Sequence, residues 1–124
     1  MMRRFNVLLV DDNKHFLEAF EFILSDVMGD RIINIYKVSN GEECMKFLEN
    51  NSVEIIFMDL DMPVMDGIQA TRIIADKYRF INVIAVSFHN EMQSIRDMIE
   101  AGARNYLIKE DINRESITRI FDSI

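Results

Sequence analysis

Five side chains in this sequence are of the types that handle phosphate and hard metal ions: the acid pair Asp11 and Asp12, then Asp59, Ser87 and Lys109. Three carboxylates brought within a few ångströms repel one another, and at least one is pushed towards protonation. A divalent cation removes that conflict. Ligands that are all oxygen select a hard ion, and a shallow site with few carboxylates and room for waters and a phosphate suits Mg²⁺ better than Ca²⁺. With the ion bound, Asp59 becomes an acceptable nucleophile towards a phosphoryl group, forming an acyl phosphate. Lys109 and the ion would neutralise the transferred oxygens, and the Ser87 hydroxyl could donate to one of them.

Other metals fit poorly. Zinc would need Cys44, His15 and His89, which show no ligand spacing. A calcium loop over Asp59, Asp61 and Asp66 fails because Pro63, Val64 and Ala70 stand where a ligand, the turn glycine and the bidentate Glu belong. Taken singly, each of the five has a duller use. Asp11 and Asp12 could begin a helix near its positive end, Asp59 could belong to an acidic strand-to-helix turn, Lys109 could be a solvated surface charge, and Ser87 a turn hydroxyl. Their joint placement carries the inference.

That placement comes from the elements. The stretch VEIIFMDLDMPVMDG, residues 53 to 67, opens with the apolar run Val53 to Met58, as a strand buried on both faces would, and stops at Asp59. Pro63 and Gly67 break the chain, and Asp66 with Gln69 has capping-box spacing for a helix from Gly67 to about Tyr78 that carries Ile68, Ile74 and Ala75. Strand and helix patterns alternate throughout, which argues for a parallel sheet with helices on both faces. Phe5 to Val10 is the first strand. Asn13 caps a helix to about Met28 with an apolar stripe of Phe16, Ala19, Phe20, Ile23, Leu24 and Val27, ended by Gly29. Ile32 to Val38 is the second strand, and Asn40 with Glu43 opens a helix through Leu48. Ile81 to Val86 is the fourth strand, followed by Asn90 and Gln93 as a further capping box and a helix burying Met92, Ile95 and Ile99 up to Gly102. Asn105 to Ile108 is the fifth strand, and Asn113 caps a last helix facing Ile120, Phe121 and Ile124 to the core, with Ile112 and Ile117 as its hydrophobic staple. Right-handed crossovers bring all strand C-termini to one edge, so the five side chains can converge there.

The 124 residues suit one domain, 1–124, with no candidate boundary. Hydrophobic residues at 49% and charged residues at 28% match a folded globular chain. No apolar run approaches the roughly 20 residues that span a bilayer, and the apolar stretch near the N-terminus is too short for a signal peptide, so a cytoplasmic location without membrane contact is expected. The formal charge of −7, from 14 basic and 21 acidic residues, disfavours direct nucleic-acid binding and favours cations. Cys44 cannot form an internal disulfide and falls on an apolar helix side, a core position.

The segments VLLVDDN, IIFMDLDMPVMDG, IAVS and GARNYLIKE, in this order and spacing, resemble the receiver domain of two-component response regulators, the CheY-like family, across the whole chain. The resemblance implies an α/β, flavodoxin-like, doubly wound five-stranded parallel sheet of strand order 2-1-3-4-5. It implies that Asp59 is the phosphoacceptor, that Asp12, Asp59 and the main-chain carbonyl of Asp61 bind Mg²⁺ with Asp11 helping through water, and that Ser87 and Lys109 hold the phosphoryl group. Tyr106 is similar to the aromatic switch residue. The phosphodonor would be a phosphohistidine on a sensor histidine kinase or phosphotransfer protein. His89, read as an exposed loop residue, and Asp61 occupy positions that tune dephosphorylation. The expected switch draws Ser87 inward and turns Tyr106 from exposed towards buried, changing the face of helix 4, strand 5 and helix 5, through which a homodimer or output domain would dock.

Two positions depart from the family pattern. Glu110 follows Lys109 where proline is usual, a form similar to NarL/LuxR-type receivers, which are normally fused to a helix-turn-helix domain. Phe88 replaces the usual small residue after Ser87 and is expected to narrow phosphodonor access. Two other readings compete. A haloacid-dehalogenase-like phosphatase would use Asp59 as nucleophile and Asp61 as general acid and base, but would leave Asp11 and Asp12 idle. A receiver-like module that never takes phosphate is weakened by the complete acidic set. The chain is thus expected to be a phosphoacceptor and not a turnover enzyme.

Overall fold

The apolar runs form one parallel sheet in the computed structural model, which describes residues 2–124. Its strands are β1 (Phe5–Val10), β2 (Ile32–Val38), β3 (Ile55–Met58), β4 (Asn82–Ser87) and β5 (Asn105–Ile108), in the spatial order β2-β1-β3-β4-β5. Between and after them come α1 (Lys14–Met28), α2 (Gly41–Asn50), α3 (Gly67–Lys77), α4 (Met92–Ala101) and α5 (Arg114–Asp122). The expected order is therefore observed. Met1 lies outside the described residues. Among the described residues no helix is long and apolar enough to cross a membrane.

The central strands are apolar without a break because both of their faces are covered. Val7, Leu9, Ile55, Phe57, Ile84 and Val86 face the core closed by Leu17, Phe20, Leu24, Ile117 and Phe121 of α1 and α5. The alternate residues Leu8, Val10, Ile56, Met58, Val83 and Ala85 face a second core with Cys44, Leu48, Ala70, Ile74 and Met98 of α2, α3 and α4. Each such side chain contributes roughly 1.5–3 kcal/mol by leaving water, more than any single surface ion pair, so the apolar layers fix where the strand ends lie.

Four of the expected caps form. Asn13, Asn40, Asp66 and Asn113 accept from the amides of Phe16, Glu43, Gln69 and Ser116. Ser116 returns the bond to the Asn113 amide, whereas the Glu43 carboxylate reaches back one residue further, to Ser39. Cys44 is buried as expected, and burial pushes its thiol up to about 12.

Several local expectations are corrected. β3 starts at Ile55, and just before it the Glu54 carboxylate accepts from the Asn6 amide at 2.7 Å. Gly29 ends α1 as expected, but as a C-cap with a right-handed φ of −54° that passes into a short 3₁₀ turn (Gly29–Arg31) and not in a left-handed conformation. Ala19 and Ala75 are exposed, while Leu17 and Met28 complete the α1 stripe. α4 departs most. Its N-cap is Glu91 with no side-chain cap, not Asn90, and Met98 and Ala101 are buried where Met92 and Ile99 are exposed. Both sets have helical spacing, so periodicity alone could not choose between them. Gly102 closes α4 with φ +122°, as a left-handed cap requires.

One glycine is required by the acid edge. The Gly67 amide donates to the Leu60 carbonyl at 2.8 Å, and a Cβ at this position would overlap the Asp59 carbonyl and stand 2.9 Å from its carbon. Only glycine lets α3 start so close to the end of β3. Gly67→Ala should lower stability by about 3 kcal/mol, read from urea unfolding, with the amide resonances of Asp59 and Leu60 among those displaced. A near-neutral result would show that this approach is not needed.

Candidate functional site

Main-chain bonds carry the acids to the sheet edge. The Asp11 amide donates to the Val38 carbonyl at 3.2 Å and the Asp59 amide to the Val10 carbonyl at 3.0 Å, so both residues extend the strand ladder by one step. Both are buried, as is Ser87 at the last position of β4, whereas Asp12 points to solvent. Lys109 follows β5 at the head of a short 3₁₀ turn (Lys109–Asp111) and reaches back across the edge. Its Nζ donates to Asp11 Oδ2 at 2.7 Å and lies 3.7 Å from Asp59 Oδ1. Residues far apart in sequence thus meet as expected, with one oxygen of each of Asp11, Asp12 and Asp59 within 4.8 Å of the others.

The carboxylates are not equivalent. Asp11 has both oxygens engaged, Oδ1 by the Asn13 amide and Oδ2 by Lys109. Asp59 has Oδ1 engaged by the Leu60 amide at 2.9 Å, and among the described residues no donor reaches its Oδ2 or the carboxylate of Asp12. The open oxygens belong to Asp59 and Asp12.

Beside the acids, the loops after β3 and β4 are tied together. His89 is not a free loop residue: Nε2 bonds the Asp61 carboxylate and Nδ1 the Glu91 carboxylate at 3.2 Å. These two acids hold the imidazole pKa above its ordinary value. The Ser87 hydroxyl accepts from the His89 amide at 3.1 Å, and the Tyr106 hydroxyl donates to the His89 carbonyl at 2.8 Å. Tyr106 was expected to be exposed, but it is half-buried and packs against the core beneath α4. The loop between β3 and α3 contains Val64 at φ +71°, flanked by a Met65 amide to Pro63 carbonyl bond of 2.8 Å; that three-residue turn is strained for a β-branched residue. Phe88 is 63% exposed beside the site. Two contributors were missed in the sequence: Glu91, and Phe16, whose ring lies 4.2 Å from Lys109 Nζ. Phe16 carried only a core signal, its helical spacing, and nothing in the sequence marks its contact with a residue following β5.

The model of the response regulator receiver domain matches residues 7–121. The chain belongs to the receiver domain family of two-component response regulators. It is a phosphorylation-controlled signalling switch. It is 33% identical over 115 residues to the response regulator UvrY of Escherichia coli K12, covering 93% of this chain and 52% of that protein, so it spans about half the length of the curated relatives it matches. The receiver domain of the sensor histidine kinase PA1611 from Pseudomonas aeruginosa, solved with magnesium coordinated in its active-site cleft, is 26% identical with a TM-score of 0.82, over 97% of this chain and 96% of that one. The CheX-CheY-BeF3-Mg²⁺ complex from Borrelia burgdorferi is similar at 26% identity and a TM-score of 0.83, over 98% and 89%.

The donor set of this receiver fits a hard cation. All of its ligating atoms are oxygen, and one ammonium cannot neutralise three carboxylates. The strain falls on Asp59, whose pKa is pushed up to about 7 by burial first and by the Asp11 charge, against the lowering effect of Lys109 and the Leu60 amide. Between its ordinary value and about 7 the folded state holds a proton that the unfolded chain has released, so stability falls as pH rises through that window. Asp59→Asn should therefore be more stable than wild type without divalent cations, by on the order of 3 kcal/mol at about pH 8, with the gap closing towards about pH 5. Thermal unfolding across that range would show this, and a pH-independent gap would contradict the origin assigned to the strain.

Proposed function

We propose that residues 1–124 act as one receiver unit in which Asp59 accepts a phosphoryl group from a phosphohistidine of a sensor histidine kinase or phosphotransfer protein. The supporting observation is the pairing of Lys109 with Asp11 and Asp59 while Asp59 Oδ2 stays open. That oxygen attacks phosphorus, the bond from phosphorus to the donor imidazole breaks, and its electron pair leaves with the imidazole, which takes up a proton. Asp12, Asp59 and the main-chain carbonyl of Asp61 would hold Mg²⁺, with Asp11 acting through water because its own oxygens already have partners. Bound there, the ion supplies charge neutralisation and makes an anionic nucleophile tolerable to an anionic donor.

Lys109 and Ser87 then hold the new phosphoryl oxygens. Ser87 accepts from the His89 amide and Tyr106 donates to the His89 carbonyl, so a Ser87 drawn towards the phosphoryl group would disturb a segment that the two switch residues share. A homodimer or output domain would respond through the α4-β5-α5 face, on an α4 that leaves Met92 and Ile99 exposed. Asp61 and His89, which bond each other, would tune dephosphorylation. The chain binds no nucleic acid itself, works in the cytoplasm, and takes part in its own phosphorylation and dephosphorylation without being a turnover enzyme.

Incubation with acetyl phosphate and Mg²⁺ should add a single hydroxylamine-labile phosphoryl group, visible by intact mass and absent in Asp59→Asn. Lys109→Met should slow its formation by roughly 10²-fold. Amide shifts on phosphorylation should include Tyr106 and residues 90–109. Steady phosphate release from a phosphomonoester, lost in Asp61→Asn, would instead establish a phosphatase.

A further inference from the structure

The Lys109 ammonium is held by more than its ion pairs. Its Nζ lies 4.2 Å from the centroid of the Phe16 ring and 5.2 Å from that of Phe88, so aromatic faces replace much of the water it would otherwise have. Phe16 is itself fixed from the core. It stacks on Phe20 at 5.3 Å, and Phe20 meets Phe57 edge-on at 5.1 Å. Phe57 precedes Asp59 by two residues on the same strand, so one aromatic column links the phosphoacceptor strand to the ring beside the lysine.

We propose that Phe16 and Phe88 are positioning residues that keep the Lys109 ammonium at the acid edge while it exchanges Asp11 for a phosphoryl oxygen on Asp59. This deepens, and rests on, the assignment of Asp59 and Lys109 above. With Asp11 shared by a cation, the ion pair that holds Lys109 weakens, and a four-carbon side chain is otherwise free to swing into solvent. The rings attract the ammonium without competing for either carboxylate. They touch the ammonium where it lies at the acid edge, so losing them lowers the fraction of molecules that keep it there to meet an oxyanion and weakens apparent affinity by that fraction. Phe16, closer and anchored, carries more of this than Phe88, whose ring is mostly exposed.

Beryllofluoride, a phosphoryl analogue, is the probe, with affinity measured by calorimetry at fixed Mg²⁺. Phe16→Leu should weaken binding by roughly 5-fold and Phe88→Leu by about 2-fold. Phenylalanine analogues with increasing ring fluorination at position 16 keep the shape and weaken the ring's negative face. Affinity should fall stepwise along that series at unchanged melting temperature, and the dependence should vanish in a Lys109→Met background. Without metal, the Lys109 ε-methylene protons should carry an upfield ring-current shift that Phe16→Leu removes. Equal affinity across the fluorinated series, or the same slope without the lysine amine, would overturn the positioning role. If Lys109→Met itself bound beryllofluoride as wild type does, the assignment of the phosphoryl site would fail instead.

Discussion

One charge imbalance governs the acid edge. Three carboxylates share a small volume with a single buried ammonium, and the sheet gives them no way to separate, because Asp11 and Asp59 are rungs of its main-chain ladder. In water such a cluster would relax by moving apart. Here the cores on both faces hold the strand ends in place, and burial first, with the imbalance added to it, raises the Asp59 pKa. A fold that stores unfavourable negative charge at one edge is biased towards binding whatever neutralises it, and a hard cation does so.

The same edge explains how a local event could travel. Ser87, His89 and Tyr106 come from β4, the loop after it and β5, yet they share one short segment of main chain, the His89 amide and carbonyl. The His89 side chain extends the link to Asp61 after β3 and to Glu91 at the head of α4. In the switch proposed above, a change in what Ser87 bonds would bear on the tyrosine and on the start of α4 together. The N-terminus of α4 lacks a side-chain cap, because Glu91 is held by His89 and Ser94, which leaves this helix less firmly fixed at its start than the four capped ones.

The acids, Ser87 and Lys109 were legible in the sequence because each ends an apolar run that can only be a buried strand, and parallel topology then dictates a common edge. The caps at Asn13, Asn40, Asp66 and Asn113 were legible for a similar reason: the signal is local and chemically specific. What escaped was set by tertiary geometry. Met92 and Ile99 have the same helical spacing as a buried stripe, but the helix turns Met98 and Ala101 inward. His89 is a loop residue, as read from the sequence, but its bonds to Asp61 and Glu91 escaped because Asp61 is on another loop. Phe16 looked like ordinary core, since nothing in sequence order shows that its outer face meets an ammonium from the far end of the chain.

The central claim is that burial, together with the neighbouring acids, holds Asp59 partly protonated until a cation is bound. Cation binding must then release that proton. Calorimetric titration of the protein with Mg²⁺ in buffers of different ionisation enthalpy measures the release directly. About half a proton should leave per ion near pH 7, falling towards zero by about pH 9, and the release should disappear in Asp59→Asn. Mg²⁺ binding near pH 7 with no linked proton would show that the carboxylates are already fully ionised, and would contradict the claim.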